Sequence, residues 1–337
     1  PQQTMYGDFQ SFWDVCVKEG AFEIPVTEVG SVATIDVAAA SAAVSQAAEN
    51  GSALELSLYE KVGLGNGRYA NLPWLQELPD PVTRVVWDNY VCVSPKYAKD
   101  NGLNYTELDT DVPLVTVKAG NVTADLPVFI LPGQPDNVVS IAVGYGRSKA
   151  GRSGSEIGKN VFPMLTYNGE TTISYNPAVT ITNTGKKYTL ARTQTHWTFE
   201  GRDAINETNL AEYKKNPNEG IEEKEELKKI WGETLYPKQD FPAIKWGMSI
   251  DLNSCIGCGA CAVSCQAENN VPVVGKTEVK RIHEMTWLRI DRYFSFPSDS
   301  GMIVKETEMG KIPDYQNVKV TFQPMLCQHC QNAHCEN

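Results

Sequence analysis

The chain has 337 residues, of which 42% are hydrophobic and 21% charged, and its formal net charge is −11. This composition is typical of a globular protein, and the length predicts about two domains. The acidic balance argues against nucleic acid as the main partner, and no apolar run is long enough to span a membrane. Because the sequence begins at Pro1 and ends two residues after Cys335, we expect it to be a segment of a longer polypeptide.

Residues 1–75 have a mixed pattern. Aromatic residues and Cys16 recur at helical spacing over 8–17, which predicts a short amphipathic helix with Cys16 in a core position. An alanine-rich stretch over 38–48 favours a second helix. Alternating apolar and polar residues over 53–59 predict a half-buried strand.

Residues 76–195 are rich in β-forming residues, and turn signals separate the later runs. Strands are predicted over 83–87, 90–93, 114–117 and 127–131, and a single short helix over 95–100. Many short strands with one small helix predict a β-barrel domain.

Residues 196–245 differ in character from what precedes them. A charge run over 222–229 has a narrow apolar stripe, which predicts a solvated acidic helix over 221–231 that braces its neighbours. Pro237 and Pro242 then indicate an extended linker. We therefore predict a domain boundary here.

A dense group of cysteines follows, with the spacing C-x2-C-x2-C-x3-C. Its members are Cys255, Cys258, Cys261 and Cys265. A tetrahedral zinc ion usually takes ligands in two separated pairs, whereas a cubane cluster has irons at several corners that one loop can reach. Gly257 and Gly259 allow the backbone to approach the cluster closely. The pattern therefore predicts a 4Fe–4S site, and the fourth cysteine of such a run, at the start of a helix near Val263, ligates the other cluster of a pair.

A second group with the spacing C-x2-C-x4-C lies at the end of the chain. Its members are Cys327, Cys330 and Cys335. A second cubane is the preferred interpretation, with its fourth ligand beyond Asn337, while zinc bound with His329 or His334 is the alternative. Neither group contains C-x-x-C-H, so covalent c-type haem is not expected. Between the two groups, alternation over 287–294 and 318–322 predicts a pair of strands.

The residues around the first cysteine group resemble a known family. Residues 246–253 and 266–275 resemble the iron–sulfur module of polysulfide-reductase-type subunits, and most closely the fused iron–sulfur subunit of bacterial alternative complex III. Residues 71–81 and 93–95 resemble the entry to the C-terminal barrel of the dimethyl sulfoxide reductase superfamily. Residues 143–147 correspond to the part of that barrel that would face a pterin nucleotide.

This resemblance implies a mixed α+β fold, with a β-barrel-rich region followed by a partial ferredoxin-like iron–sulfur domain. Residues 1–75 would then end a preceding molybdopterin-oxidoreductase-like domain, and 76–195 would form the barrel, which is expected to be empty. Residues 196–245 would be the linker, and 246–337 the ferredoxin-like domain, truncated at its C-terminus.

The resemblance also implies a function: electron transfer within a bacterial membrane-associated quinol oxidoreductase. Electrons would pass from a quinol-binding membrane subunit through the clusters to c-type cytochrome subunits, with a terminal oxidase as a further partner. The whole polypeptide would hold several 4Fe–4S clusters and one 3Fe–4S cluster without molybdenum, on the periplasmic side of the cytoplasmic membrane. No substrate catalytic site is expected in this segment.

By the family pattern, one cluster would take its ligands from the first three cysteines, Cys255, Cys258 and Cys261, and the last group, Cys327, Cys330 and Cys335, would hold another. Cys265 would bind a cluster distal to the first. Two alternatives remain open at this stage: a true molybdenum reductase fused to its electron-transfer module, and an interaction protein with structural zinc.

Overall fold

The computed structural model describes residues 7–19, 36–49, 54–106, 108–167, 169, 171–198, 205, 208–218, 247–297, 303–304 and 317–327. The chain forms two compact units, Pro1–Glu49 and Asn50–Asn337. The predicted acidic helix over 221–231 lies outside the described residues, as do Cys330 and Cys335.

The first unit contains helices α1 (Phe9–Glu19) and α2 (Val37–Glu49), so both predicted helices are confirmed. Asp8 precedes α1 and its carboxylate accepts the Ser11 amide at 2.9 Å, which satisfies one of the free N–H groups of the first turn. Cys16 is only half-buried, and α1 has no fully buried residue. The prediction that Cys16 occupies a core position is therefore wrong for the described part of this unit.

The described part of the second unit begins with six strands and two short helices. In chain order these elements are β1 (Glu55–Tyr59), α3 (Pro73–Gln76), β2 (Val85–Val86), β3 (Val91–Val93), α4 (Pro95–Asp100), β4 (Asp111–Ala119), β5 (Val122–Ile130) and β6 (Val138–Ala142). They are followed by α5 (Gly151–Gly154), β7 (Thr166–Tyr167), β8 (Thr172–Ile173), β9 (Tyr175–Asn176), β10 (Val179–Thr189), β11 (Ala191–Arg192) and α6 (Leu210–Lys215).

The remaining elements belong to the region of the cysteine groups. They are α7 (Ala260–Glu268), α8 (Lys276–Val279), β12 (Arg289–Pro297), β13 (Ile303–Val304) and β14 (Lys319–Met325). The two strands predicted between the cysteine groups are confirmed, because β12 and β14 pair antiparallel from Arg289 with Met325 to Ser295 with Lys319.

Seven of the described strands form one mixed sheet in the order β10-β4-β5-β3-β6-β1-β9. The pairs β1–β6 and β3–β5 are parallel, and the other neighbours are antiparallel. In place of the predicted barrel, the described strands therefore form an open sheet with edges at β10 and β9. Parallel neighbours need crossover connections, so these strands do not follow one another around a closed up-and-down barrel.

The core lies over the central strands of this sheet. Val91, Cys92 and Val93 in β3 are at most 1% exposed, as expected for a strand that is buried on both faces. Burial raises the pKa of Cys92 to about 12, so its thiol is protonated and packs as a small apolar group.

The region of the cysteine groups shares this core. Phe294 and Phe296 of β12 are fully buried in the same cluster as the sheet residues. The Gln194 side chain accepts the Arg292 amide at 2.8 Å and donates to the Arg292 carbonyl at 2.6 Å, which joins β12 to the chain that follows β11. Among the described residues, no helix is both long and apolar enough to cross a membrane.

The shared core makes a stability prediction. We expect Leu126→Ala to lower the free energy of unfolding by about 2–5 kcal/mol, because Leu126 is fully buried in β5 and its loss leaves a cavity. Leu108→Ala is the matched control, since Leu108 is 62% exposed and should change stability by less than about 0.5 kcal/mol. Equal effects of the two substitutions in chemical denaturation would contradict the described core.

Candidate metal centre

The first cysteine group is divided between a loop and a helix. Cys255 and Cys258 lie in the loop, while Cys261 and Cys265 lie one turn apart in α7. The sequence predicted that the helix starts at Val263, but it starts at Ala260, because Gly259 has a φ of +74° and ends the loop there. Cys255, Cys258 and Cys265 are half-buried, Cys261 is exposed, and all four thiols are free of disulfides.

Two glycines allow this loop to press against its surroundings. Gly257 and Gly259 have φ values of +69° and +74°, which favour glycine. A Cβ on Gly257 would lie 2.5 Å from the ring of Phe322 in β14, and one on Gly259 would lie 2.8 Å from Leu78. At these two glycines the loop therefore packs against apolar side chains from β14 and from the segment after α3.

The segment around α3 also holds the chain that follows α7. Trp74 Nε1 donates to the Val271 carbonyl at 3.2 Å. The buried carboxylate of Glu77 accepts the amides of Val274 at 3.1 Å and Gly275 at 2.8 Å, and Trp87 Nε1 at 3.0 Å. Sequence analysis missed Glu77 and Trp74 as site residues, since their partners lie about 200 positions away and no local pattern announces them.

An ion pair makes a second connection between the sheet and this region. Lys276 Nζ in α8 lies 2.6 Å from Asp88 Oδ2, and the Tyr188 hydroxyl donates to the same carboxylate at 3.0 Å. Burial raises the pKa of Asp88, while Lys276 opposes this shift. Burial alone would lower the pKa of Lys276, but the negative charge of Asp88 raises it. The pair therefore remains charged near neutral pH.

Of the second cysteine group, the structure describes only Cys327. It is exposed and lies two residues after β14, the strand whose Phe322 touches the first loop. The choice between a second cubane and zinc with His329 or His334 concerns residues outside the described part of the chain.

The first group fits an iron–sulfur cluster. Among the described residues, no three His, Cys, Asp or Glu side chains converge as a single ion requires. A cubane is different, because each thiolate binds its own iron, so thiols spread over a loop and a helix suit it. This segment suits iron–sulfur ligation, because it has four free thiols and two glycines that bend its backbone. Leu78 and Phe322 add apolar contacts at those glycines. Asn269 Nδ2 also lies 3.6 Å from Cys265 Sγ, as a hydrogen-bond donor to that sulfur.

The glycine turn of residues 143–147 is packed by the protein's own backbone. A Cβ on Gly144 would lie 2.8 Å from the Gly65 carbonyl, and one on Gly146 would lie 2.0 Å from the Asn160 amide. Arg147 Nη2 donates to the Asn66 carbonyl at 2.8 Å. These contacts give the turn a structural role, and the expected absence of a pterin nucleotide stays a prediction.

Comparison with known proteins confirms the iron–sulfur prediction: residues 246–267 match the 4Fe-4S binding domain. The iron–sulfur cluster-binding subunit of menaquinone reductase from Nitratidesulfovibrio vulgaris is 37% identical over 93 residues, which is 27% of this chain and 29% of that protein. The iron–sulfur subunit of a putative dimethyl sulfoxide reductase from Halobacterium salinarum is 33% identical over 93 residues, which is 27% of this chain and 29% of that protein.

The sequence of the arsenate respiratory reductase iron–sulfur subunit from Chrysiogenes arsenatis is 58% identical over 26 residues. The match covers 8% of this chain and 87% of that short sequence. The cysteine region is thus that of an iron–sulfur, electron-transferring protein. Through this region the chain belongs to the family of iron–sulfur subunits of reductases. It spans less than a third of the length of the menaquinone and dimethyl sulfoxide reductase subunits.

The contact between Gly257 and Phe322 leads to a prediction. We expect Gly257→Ala to lower the iron content and the melting temperature of the purified protein, because the new Cβ would strain a left-handed backbone and strike Phe322. Gly247→Ala is the control, since nothing lies within 4 Å of that position and its φ is not in the left-handed region. A Gly257→Ala protein with the iron content and melting temperature of the wild type would contradict this geometry.

Proposed function

We propose that this chain is the electron-transfer segment of a membrane-associated quinol oxidoreductase of the alternative complex III type. The observation that carries the proposal is the cysteine segment of residues 255–265, which has free thiols and packs against Leu78 and Phe322 of the same chain. Relatives of this chain are iron–sulfur subunits, one of them of a menaquinone reductase. That relative supports quinone chemistry in the complex.

We assign the ligands by their positions on the loop and helix. Cys255, Cys258 and Cys261 hold one cluster, and Cys265 binds a neighbouring one, because it lies one helical turn, about 6 Å, beyond Cys261. Cys327 begins a second set that continues with Cys330 and Cys335. Such an arrangement forms a chain of clusters rather than a single store.

Besides supplying the thiols, the chain's own residues perform two tasks in this scheme. A bound 4Fe–4S cluster supplies reversible one-electron transfer. Leu78 and Phe322 pack against the two glycines of the loop and supply apolar surface there. Glu77 and Trp74 fix the segment after α7, so the thiols keep their places when the cluster's charge changes.

The partners in this proposal follow from the resemblance to alternative complex III. An integral-membrane subunit oxidises the quinol, and c-type cytochrome subunits receive the electrons before a terminal oxidase. The complex lies at the periplasmic side of a bacterial cytoplasmic membrane. The segment itself has no substrate catalytic site.

A true molybdenum reductase is the second candidate, because relatives include the iron–sulfur subunits of a putative dimethyl sulfoxide reductase and of an arsenate respiratory reductase. The molybdenum content of the intact polypeptide separates the two candidates.

Paired cysteine substitutions test the ligand assignment. We expect Cys258→Ala to abolish the electron paramagnetic resonance signal of one cluster and Cys265→Ala to damage a different one, since α7 carries the fourth thiol away from the loop. Cys16→Ala should leave all signals intact, because Cys16 lies in the other compact unit. If the first two substitutions remove the same signal and spare the rest, the four cysteines hold one cluster and the assignment is wrong.

A further inference from the structure

A small cavity of about 40 Å³ lies directly behind the cysteine loop. Gly259 and Ala262 line it on the side of α7, and Arg84 and Leu78 line it on the side of the sheet domain. Residues of β12 and the segment before it, including Glu284, complete the wall. The cavity therefore touches the backbone of the candidate cluster site without containing any of its thiols.

Three buried polar atoms among the lining residues have no hydrogen-bond partner in the described part of the chain: Arg84 Nε, Thr193 Oγ1 and Glu284 Oε2. Arg84 is only 5% exposed, and its φ of +61° is a strained conformation for a residue with a side chain. Buried polar groups are rarely left unpaired, because each costs free energy. The volume accommodates about two or three water molecules, which would pair these atoms.

Charged groups of both signs surround Glu284. Glu77 and Asp291 supply negative charge at the cavity, and Arg84 and Arg289 supply positive charge. Burial raises the pKa of Glu284 and Glu77 adds to this, while Arg289 and the neighbouring His283 oppose it. Glu284 therefore keeps its proton to a higher pH than an exposed glutamate does.

We propose that Glu284 and the water molecules of this cavity form a proton-binding site linked to the cluster on the adjoining loop. The inference rests on the proposed function. If a cluster bound to the loop were reduced by its electron donor, the Glu284 carboxylate would accept one proton from solvent through the cavity, with formation of an O–H bond. On reoxidation by the electron acceptor, that O–H bond would break and the carboxyl group would return the proton to solvent.

The coupling follows from charge. Reduction adds one negative charge to the cluster, and in a low-dielectric interior this charge favours the protonated, neutral form of a nearby carboxyl group. By linkage, protonation of Glu284 makes the cluster easier to reduce. The midpoint potential of this cluster should therefore fall as the pH rises through the pKa of Glu284.

Potentiometric titrations of the intact complex at a series of pH values, followed by electron paramagnetic resonance, test this. We expect one cluster of the wild type to show a pH-dependent midpoint potential, and Glu284→Gln to abolish that dependence. Glu268→Gln is the control, since Glu268 is an exposed carboxylate at the end of the cysteine helix and its loss should leave the pH dependence in place.

A second measurement covers the case in which Glu284→Gln fails to assemble its clusters. Infrared difference spectra of the wild type on reduction should contain the band of a newly protonated carboxyl group, and Thr193→Val should shift that band because it removes a hydroxyl from the cavity. Wild-type cluster potentials that do not change with pH, or a dependence that survives Glu284→Gln, would overturn the inference while leaving the proposed function standing. A wild type with no cluster signal would overturn both.

Discussion

The geometry of the cysteine region depends on one buried carboxylate. Glu77 accepts three N–H groups, two from the backbone after α7 and one from Trp87 of its own domain. Hydrogen bonds to a charged acceptor contribute about 1.5–3 kcal/mol each, and a buried N–H without a partner carries a penalty. Glu77 thus holds two regions about 200 residues apart in the sequence in a single arrangement.

Other contacts reinforce the arrangement that Glu77 sets. Gly259 packs on Leu78, the residue directly after Glu77, so the loop rests on the same short segment. The ion pair of Lys276 and Asp88 makes a second connection between the sheet and the cysteine region. Phe294 of β12 packs in the core that both regions share. The cysteine loop is therefore supported by the sheet domain on one side and by β14 on the other. A rigid support of this kind suits electron transfer, because the clusters change charge without a change in ligand positions.

The sequence alone was sufficient for the features that depend on neighbours in the chain. Cysteine spacing and the two glycines predicted the loop at Cys255–Cys265, and alternation predicted β12 and β14. Pro95, which follows a capping Ser94, begins the predicted helix α4. These patterns are local, so their physical causes are visible in a short window of residues.

Features that depend on distant contacts were not predictable. Glu77 and Trp74 have no distinguishing local pattern, and the unpaired Arg84 Nε became visible only with the cavity around it. Counting short strands predicted a barrel, but the order of the described strands, with β10 and β9 at the edges, depends on pairing partners far apart in sequence. The start of α7 at Ala260 was missed because the left-handed φ of Gly259, rather than residue propensity, ends the loop.

We propose that the cysteine groups hold iron–sulfur clusters that transfer electrons in a complex without molybdenum. The most direct measurement is the content of iron, acid-labile sulfide, zinc and molybdenum in the purified intact polypeptide. We expect iron and sulfide in similar amounts, with neither zinc nor molybdenum. Zinc in place of iron and sulfide would contradict the claim, and stoichiometric molybdenum beside the iron would show that the protein is a molybdenum reductase instead.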